Sequence, residues 1–332
     1  MQSPFHPTPN REIIRSMNTR PLGRSGLRIA PLVFGANVFG WTVDQPNASR
    51  LLDRFADAGF NAIDTADVYS RWVPGNKGGE SETMIGNWLK ASPARRSQVV
   101  LITKVGMMPG ADGRGLSAQN IAARVEESLR RLQTDHIDLY LSHRPDASTP
   151  IEETLRAYES LVRAGKVRAI GSSNSTATGL REALDVAAKA KLPRYEVEQP
   201  EYNLVERKKF EGPLRDLCIA EGLGAIVYYS LASGFLSGKY RSQADLGKRA
   251  RRSGVEKYLD DRGLRILGAL DKVAQAHEAK PAEVALAWLI ARKGVTAPIA
   301  SATSLEQVDS FVRAAQLKLS PEEIQSLIAA SD

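Results

Sequence analysis

One cysteine, Cys218, stands alone in 332 residues, so no intrachain disulfide can form and the chain reads as a protein of a reducing compartment, the cytoplasm. Histidine is nearly as scarce. His6, His136, His143 and His277 include no pair four residues apart and no cysteine companions, which argues against a zinc site. No apolar run is long enough to span a bilayer, and the first sixteen residues, with Pro4, Pro7 and Pro9, lack the apolar stretch of a secretory signal. The net charge of +7 points to an anionic ligand. Neither an aromatic-studded basic helix nor zinc-finger spacing accompanies it, so nucleic acid is not the expected partner. The glycine-rich turn of an open dinucleotide-binding sheet is missing too, because the glycines of Gly35-Ala-Asn-Val-Phe-Gly40 are wrongly spaced.

What is present is a regular alternation. Eight short apolar or β-branched runs occupy residues 32–37, 62–66, 99–105, 137–143, 167–171, 195–199, 225–229 and 296–300. Amphipathic helical patterns lie between them, for instance at 48–58, 118–132 and 151–164, with Gly59 and Gly165 as stop signals. Strand and helix alternating eight times predict an α/β protein, a (β/α)8 TIM barrel. Extra helix follows the seventh strand, at 261–279 and 281–292, and Pro281 suits the start of the second piece. No linker-like tract divides the chain. Residues 1–17 therefore read as a loose N-terminal arm and 18–332 as a single barrel domain. Two connections, 70–80 and 241–258, are longer than such units need, and both follow strands at the same mouth, where substrate and cofactor contacts are expected.

Four titratable residues interrupt the ends of these runs: Asp64 and Tyr69 close residues 61–69, Lys104 lies near the end of 99–105, and His143 ends 137–143. On parallel neighbouring strands of a closed sheet, all four converge on one mouth. A tyrosine beside a buried lysine that is itself paired with an aspartate is suited to hand a proton to a carbonyl oxygen. The expectation is that the cation lowers the phenol pKa toward neutrality. His143 would hydrogen-bond and orient the carbonyl.

Several segments occur in the order found in the aldo-keto reductase family, which the chain resembles from about Arg20 onward. Arg20-Pro-Leu-Gly-Arg-Ser-Gly-Leu27 is similar to that family's opening hairpin and Asp64-Thr-Ala-Asp-Val-Tyr69 to its aspartate–tyrosine segment. Gly165-Lys-Val-Arg-Ala-Ile-Gly-Ser-Ser-Asn174 resembles its fifth-strand signature, joined by Gln199-Pro-Glu-Tyr-Asn203 and Ser237-Gly-Lys-Tyr240. The resemblance implies reduction of an aldehyde or ketone to an alcohol, and the reverse, with Asp64, Tyr69, Lys104 and His143 as the catalytic set. It implies NADP(H) as cofactor ahead of NAD(H), bound across the mouth, and no metal. Ser173, Asn174 and Gln199 match the positions that hold the nicotinamide carboxamide, and Tyr228 the aromatic on which the ring stacks. Leu231, Ser233, Gly234 and Lys239 match the segment over the pyrophosphate, Arg249 matches a further phosphate contact, and Tyr229 and Ser230 belong with the cofactor-binding positions. Gly35 and Asn37 on the first strand, and Ser301, Thr303 and Gln307 at the eighth, complete the cofactor set. Ser301 and Gln307 replace the lysine and arginine that the family uses for the adenosine 2′-phosphate.

Phe39, Trp41 and Trp72 flank the mouth and are expected to form an apolar substrate wall. The partner implied is a small carbonyl compound, and nothing in the chain sets an oligomeric state. The alternative is a slow, cofactor-binding regulatory subunit on the same scaffold, similar to the potassium-channel β subunits. His143 stands where those subunits depart from the enzyme pattern and favours the enzyme.

Overall fold

Strands that are buried on both faces read as continuous apolar runs, and eight such runs close into one barrel. The computed structural model describes residues 17–247 and 252–332. An antiparallel hairpin, β1 (Arg20–Pro21) and β2 (Arg28–Ile29), precedes the barrel. The barrel strands are β3 (Val33–Gly35), β4 (Ala62–Asp64), β5 (Val100–Val105), β6 (Ile137–Ser142), β7 (Val167–Ser173), β8 (Val197–Gln199), β9 (Gly224–Val227) and β10 (Ala297–Ala300). Neighbours pair in parallel in chain order, and β10 closes the ring on β3.

Alternate residues of each strand feed two separate cores. Inside the barrel, Val33, Ala62, Ile102, Leu139 and Ile299 pack together with Leu22 and Ile29 of the hairpin, which plug the N-terminal end. Outside it, Phe34, Ile63, Leu101, Tyr140 and Ile170 pack under the helices. The hairpin seats closely because Gly23 (φ +60°) has no side chain, and a Cβ there would lie 2.1 Å from the Glu196 carbonyl oxygen.

The helices over the barrel are α1 (Gln45–Asp57), α2 (Glu80–Ala91), α3 (Ala118–Leu132), α4 (Ile151–Arg163), α5 (Ala177–Ala190) and α6 (Pro213–Glu221). After β9 come α7 (Arg252–Glu256), α8 (Asp261–Ala276) and α9 (Pro281–Ala291), and after β10 come α10 (Leu305–Gln316) and α11 (Pro321–Ser331). Asp44, Ser117, Thr176, Asp260, Ser304 and Ser320 each accept a backbone N–H at a helix start, a contact worth about 1 kcal/mol. The Asp44 cap explains why α1 begins three residues before the expected position. α8 ends at Ala276 instead of 279 because Glu278 takes a left-handed φ of 50°. The connection expected at 241–258 holds a short 3-10 turn, Gln243–Leu246, as well as α7. Residues 1–16 of the expected arm, and 248–251 with Arg249, lie outside the described residues. Among the described residues no helix is long and apolar enough to cross a membrane.

Candidate active site

Strand parity builds the mouth. Side chains alternate between faces, so two steps toward the C-terminal end from the inward residues Ala62, Ile102, Leu141 and Val197 lead to Asp64, Lys104, His143 and Gln199. The same step from Val33, Ile226 and Ile299 leads to Gly35, Tyr228 and Ser301, and four steps from Ala169 lead to Ser173. Seven of these eight line a cavity of about 640 Å³ at this end, and Lys104 lies directly beneath it. Gly35 keeps the opening wide, since a Cβ there would meet Ile299 Cγ2 at 2.9 Å and Ser301 Oγ at 3.0 Å.

Lys104 is fully buried and donates three hydrogen bonds, to Asp64 Oδ2 at 2.7 Å, the Thr65 carbonyl at 2.7 Å and Tyr69 Oη at 2.9 Å. Tyr69 Oη also lies 3.4 Å from Asp64 Oδ2, and Gln199 Nε2 donates to Asp64 Oδ1 at 2.8 Å. The His143 ring meets the Tyr69 ring edge-on at 5.9 Å. Four residues from three strands and the turn after β4 are thus brought together.

The protonation of this group departs from the expectation. The Tyr69 phenol is held well above its ordinary pKa, first by burial and then by the Asp64 carboxylate, so Lys104 does not bring it toward neutrality. Burial lowers the Lys104 pKa, and Asp64 opposes that shift. His143 is held well below its ordinary value by burial, then by the charges of Lys104 and Arg144. At neutral pH the site therefore presents a protonated phenol and a neutral imidazole.

Around this group, Asn174 Nδ2 donates to the His143 carbonyl and to Ser173 Oγ, both at 3.0 Å. Ser173 Oγ donates to the Gln199 carbonyl at 2.7 Å, and Tyr228 Oη to Asn174 Oδ1 at 2.6 Å. Asn37, Asn174, Tyr229, Ser230, Leu231, Ser233, Gly234, Lys239, Thr303 and Gln307 line the same cavity. Tyr229, Ala232 and Ser233 all adopt left-handed φ (52°, 48° and 58°) on the way to Gly234. Such non-glycine strain, of order 1–3 kcal/mol per residue, concentrates where a ligand is gripped. Gln307 is turned toward its own loop, accepting the Thr303 N–H at 2.8 Å, and Ser301 Oγ donates to Asn37 Oδ1 at 2.6 Å.

The aromatic wall divides. Trp72 lines the cavity, half-exposed, with Tyr69 at 6.2 Å and Trp41 edge-on behind it at 5.9 Å. Phe39 does not belong there: its ring is fully buried against Phe34 in the outer core, 5.4 Å away. The loop after β4 is pinned by Asn76 Nδ2, which donates to the Gly40 and Ser70 carbonyls at 3.0 Å. Val68, Met107 and Arg144 also line the cavity and were not foreseen. They sit one or two residues past a strand end or inside a turn, where apolar periodicity has already stopped; extending each predicted strand by two residues would have found Arg144 and Met107. Among the described residues, no group of three or more His, Cys, Asp or Glu side chains is placed to hold a metal ion.

Asp67 was also missed. Both carboxylate oxygens are buried without a hydrogen-bond partner, and burial, reinforced by Glu82, pushes the pKa from 3.8 up to about 7. Between these values the folded state holds a proton that the unfolded chain has released, so this group costs stability as pH rises from about 4 to about 7 and stays costly above that. Asp67→Asn is expected to stabilise the protein by up to a few kcal/mol at pH 8 and by little near pH 4, as read from urea unfolding. A gain that does not change between those pH values would contradict the assignment.

The profile of the Aldo/keto reductase family matches residues 31–332. The chain is 38% identical over 316 residues to the uncharacterized oxidoreductase YrpG of Bacillus subtilis (strain 168), covering 92% of this chain and 93% of that protein. It is 35% identical over 324 residues to a probable voltage-gated potassium channel subunit beta of Oryza sativa subsp. japonica, covering 94% and 96%. A probable voltage-gated potassium channel subunit beta from Arabidopsis thaliana is 35% identical over 307 residues, covering 90% and 91%. The match across the whole barrel and the similarity over nearly the full length of these relatives place the chain in a family of oxidoreductases: it belongs to the aldo/keto reductase family.

Proposed function

We propose that this protein reduces an aldehyde or ketone to an alcohol, and runs the reverse reaction, with a nicotinamide dinucleotide as cofactor. The observation that carries this reading is the buried chain from Asp64 through Lys104 Nζ to Tyr69 Oη, ending at the cavity beside His143. Tyr69 is the proton donor. Because burial and Asp64 keep the phenol protonated, the acid is in its working form throughout the neutral range. As the proton leaves, negative charge develops on Oη, 2.9 Å from the Lys104 ammonium, where a positioned cation in a dry site stabilises it most. Asp64 fixes that ammonium, and neutral His143 orients the carbonyl oxygen.

The residues around the cavity fit a dinucleotide. The Gln199 side-chain amide, tied to Asp64 through Nε2, has no hydrogen-bond partner for Oε1 among the described residues and lines the cavity with Ser173 and Asn174. These amide and hydroxyl groups match a carboxamide, and Tyr228 offers a ring face next to them. Lys239 has no ion-pair partner among the described residues and lies against Gly234, a placement suited to a pyrophosphate. When bound, the nicotinamide supplies the hydride. NADP(H) is the first cofactor proposed, although Ser301 and Gln307 bring no charge to a 2′-phosphate.

A panel of aldehydes and ketones, assayed with NADPH and with NADH, tests this reading. Reduction is expected, with kcat/KM flat between about pH 6 and pH 9, because Tyr69 keeps its proton and His143 stays neutral over that range. A fall in rate with a midpoint inside that window that persists in Asp67→Asn, which removes the one group among the described residues placed at about 7, would contradict the protonation states. Cofactor binding with no carbonyl turned over would favour a second reading, a cofactor-binding regulatory subunit, which rests on the similarity to the plant proteins named as channel β subunits.

A further inference from the structure

Arg144 follows His143 directly past the end of β6 and lines the cavity as an exposed side chain, its charge reaching His143 and Tyr228. Among the described residues it has no hydrogen bond and no ion pair. Between β5 and β6, Arg114 is held by Asp112 and Glu153, Arg124 by Glu127 and Arg131 by Glu82. Among the described residues lining the cavity Asp64 is the single acidic one, and it is engaged by Lys104. The charge is nonetheless felt within the site, where it helps to keep His143 neutral. Val68, Met107 and Trp72 give the same cavity an apolar lining. Lys239 also lines the cavity with no ion pair among the described residues, and it lies against Gly234 and over the Tyr240 ring.

A cavity that holds Tyr69 and His143, apolar side chains and a guanidinium with no ion pair suits a ligand with a carbonyl, an apolar body and a negative group. A guanidinium offers a planar fork of donors that fits a carboxylate or a phosphate in two parallel hydrogen bonds. We propose that Arg144 binds an anionic oxygen group on the substrate, so that the protein prefers carbonyl compounds bearing a carboxylate or a phosphate ester over neutral ones of similar size. The inference rests on the carbonyl-reducing function proposed above and names the substrate class of that site.

Three aldehydes of one skeleton test it: 4-carboxybenzaldehyde, 4-formylphenyl phosphate and the neutral methyl 4-formylbenzoate, each with NADPH. Wild type is expected to favour at least one anionic aldehyde over the ester by about tenfold or more in kcat/KM, as a charge-assisted hydrogen bond provides, and the better anion tells carboxylate from phosphate. Arg144→Gln should lower that anion-to-ester ratio about tenfold, and Arg144→Lys, which keeps the charge without the fork, should retain part of it. Arg71→Gln, an exposed arginine outside the cavity, should leave the ratio as it is. Added salt should shrink the preference. A second readout does not need turnover: 4-(hydroxymethyl)benzoate binding to the protein with NADP+, followed by tryptophan fluorescence, should weaken about tenfold in Arg144→Gln. An anion-to-ester ratio near one in wild type, or a ratio unchanged in Arg144→Gln, overturns the proposal while leaving carbonyl reduction standing. If no aldehyde is reduced at all, the carbonyl-reducing function falls, and the fluorescence titration alone decides for or against an anion site at Arg144.

Discussion

Tyr69→Phe is expected to abolish carbonyl reduction by roughly 10²- to 10⁴-fold, the range of a positioned general acid, while the protein still folds and binds cofactor. The substitution removes one oxygen. The ring keeps its edge contacts with His143 and Trp72, and Lys104 keeps its bonds to Asp64 and the Thr65 carbonyl. The stability change should therefore stay within about 1 kcal/mol, one net hydrogen bond. Turnover at saturating cofactor, together with cofactor affinity by fluorescence titration, separates the two effects. Turnover close to that of wild type would remove Tyr69 from the chemistry.

Lys104→Met should fail in two ways at once. Activity is lost because the charge that develops on Tyr69 Oη has no cation beside it. Stability is lost because Asp64, 2% exposed, is left with Gln199 and the weakly placed Tyr69 hydroxyl as its side-chain partners. Removing one member of a buried ion pair costs about 3–5 kcal/mol. The double variant Lys104→Met/Asp64→Asn should regain part of that stability, since no charge is then stranded, and none of the activity. Equal urea midpoints for wild type and Lys104→Met would show that the pair contributes nothing to the fold.

All eight strands were legible because each is short, buried on both faces and bounded by turn signals, so its composition is local information. The strand ends were less so: β3 is three residues long where residues 32–37 were expected, and β7 runs two residues beyond the predicted 171. Pairing with neighbours sets those limits, and pairing depends on residues far away in the chain. The aromatic wall shows the same division. Phe39, Trp41 and Trp72 look alike in a string of letters, and only the paths taken by the chain after β3 and after β4 send Phe39 into the outer core and leave Trp72 at the mouth.

By itself the amino-acid order determined the alternation of strand and helix, the barrel it implies, and the polar residues that break apolar runs at Asp64, Lys104 and His143. A buried strand tolerates a charge only where a partner meets it, so such breaks mark positions of convergence before any coordinate is known. The tertiary structure alone decided the protonation of Tyr69, the unpartnered burial of Asp67 and the freedom of Arg144. Each of these depends on how much water surrounds a group and which distant side chains reach it, and neither quantity is carried by sequence neighbours.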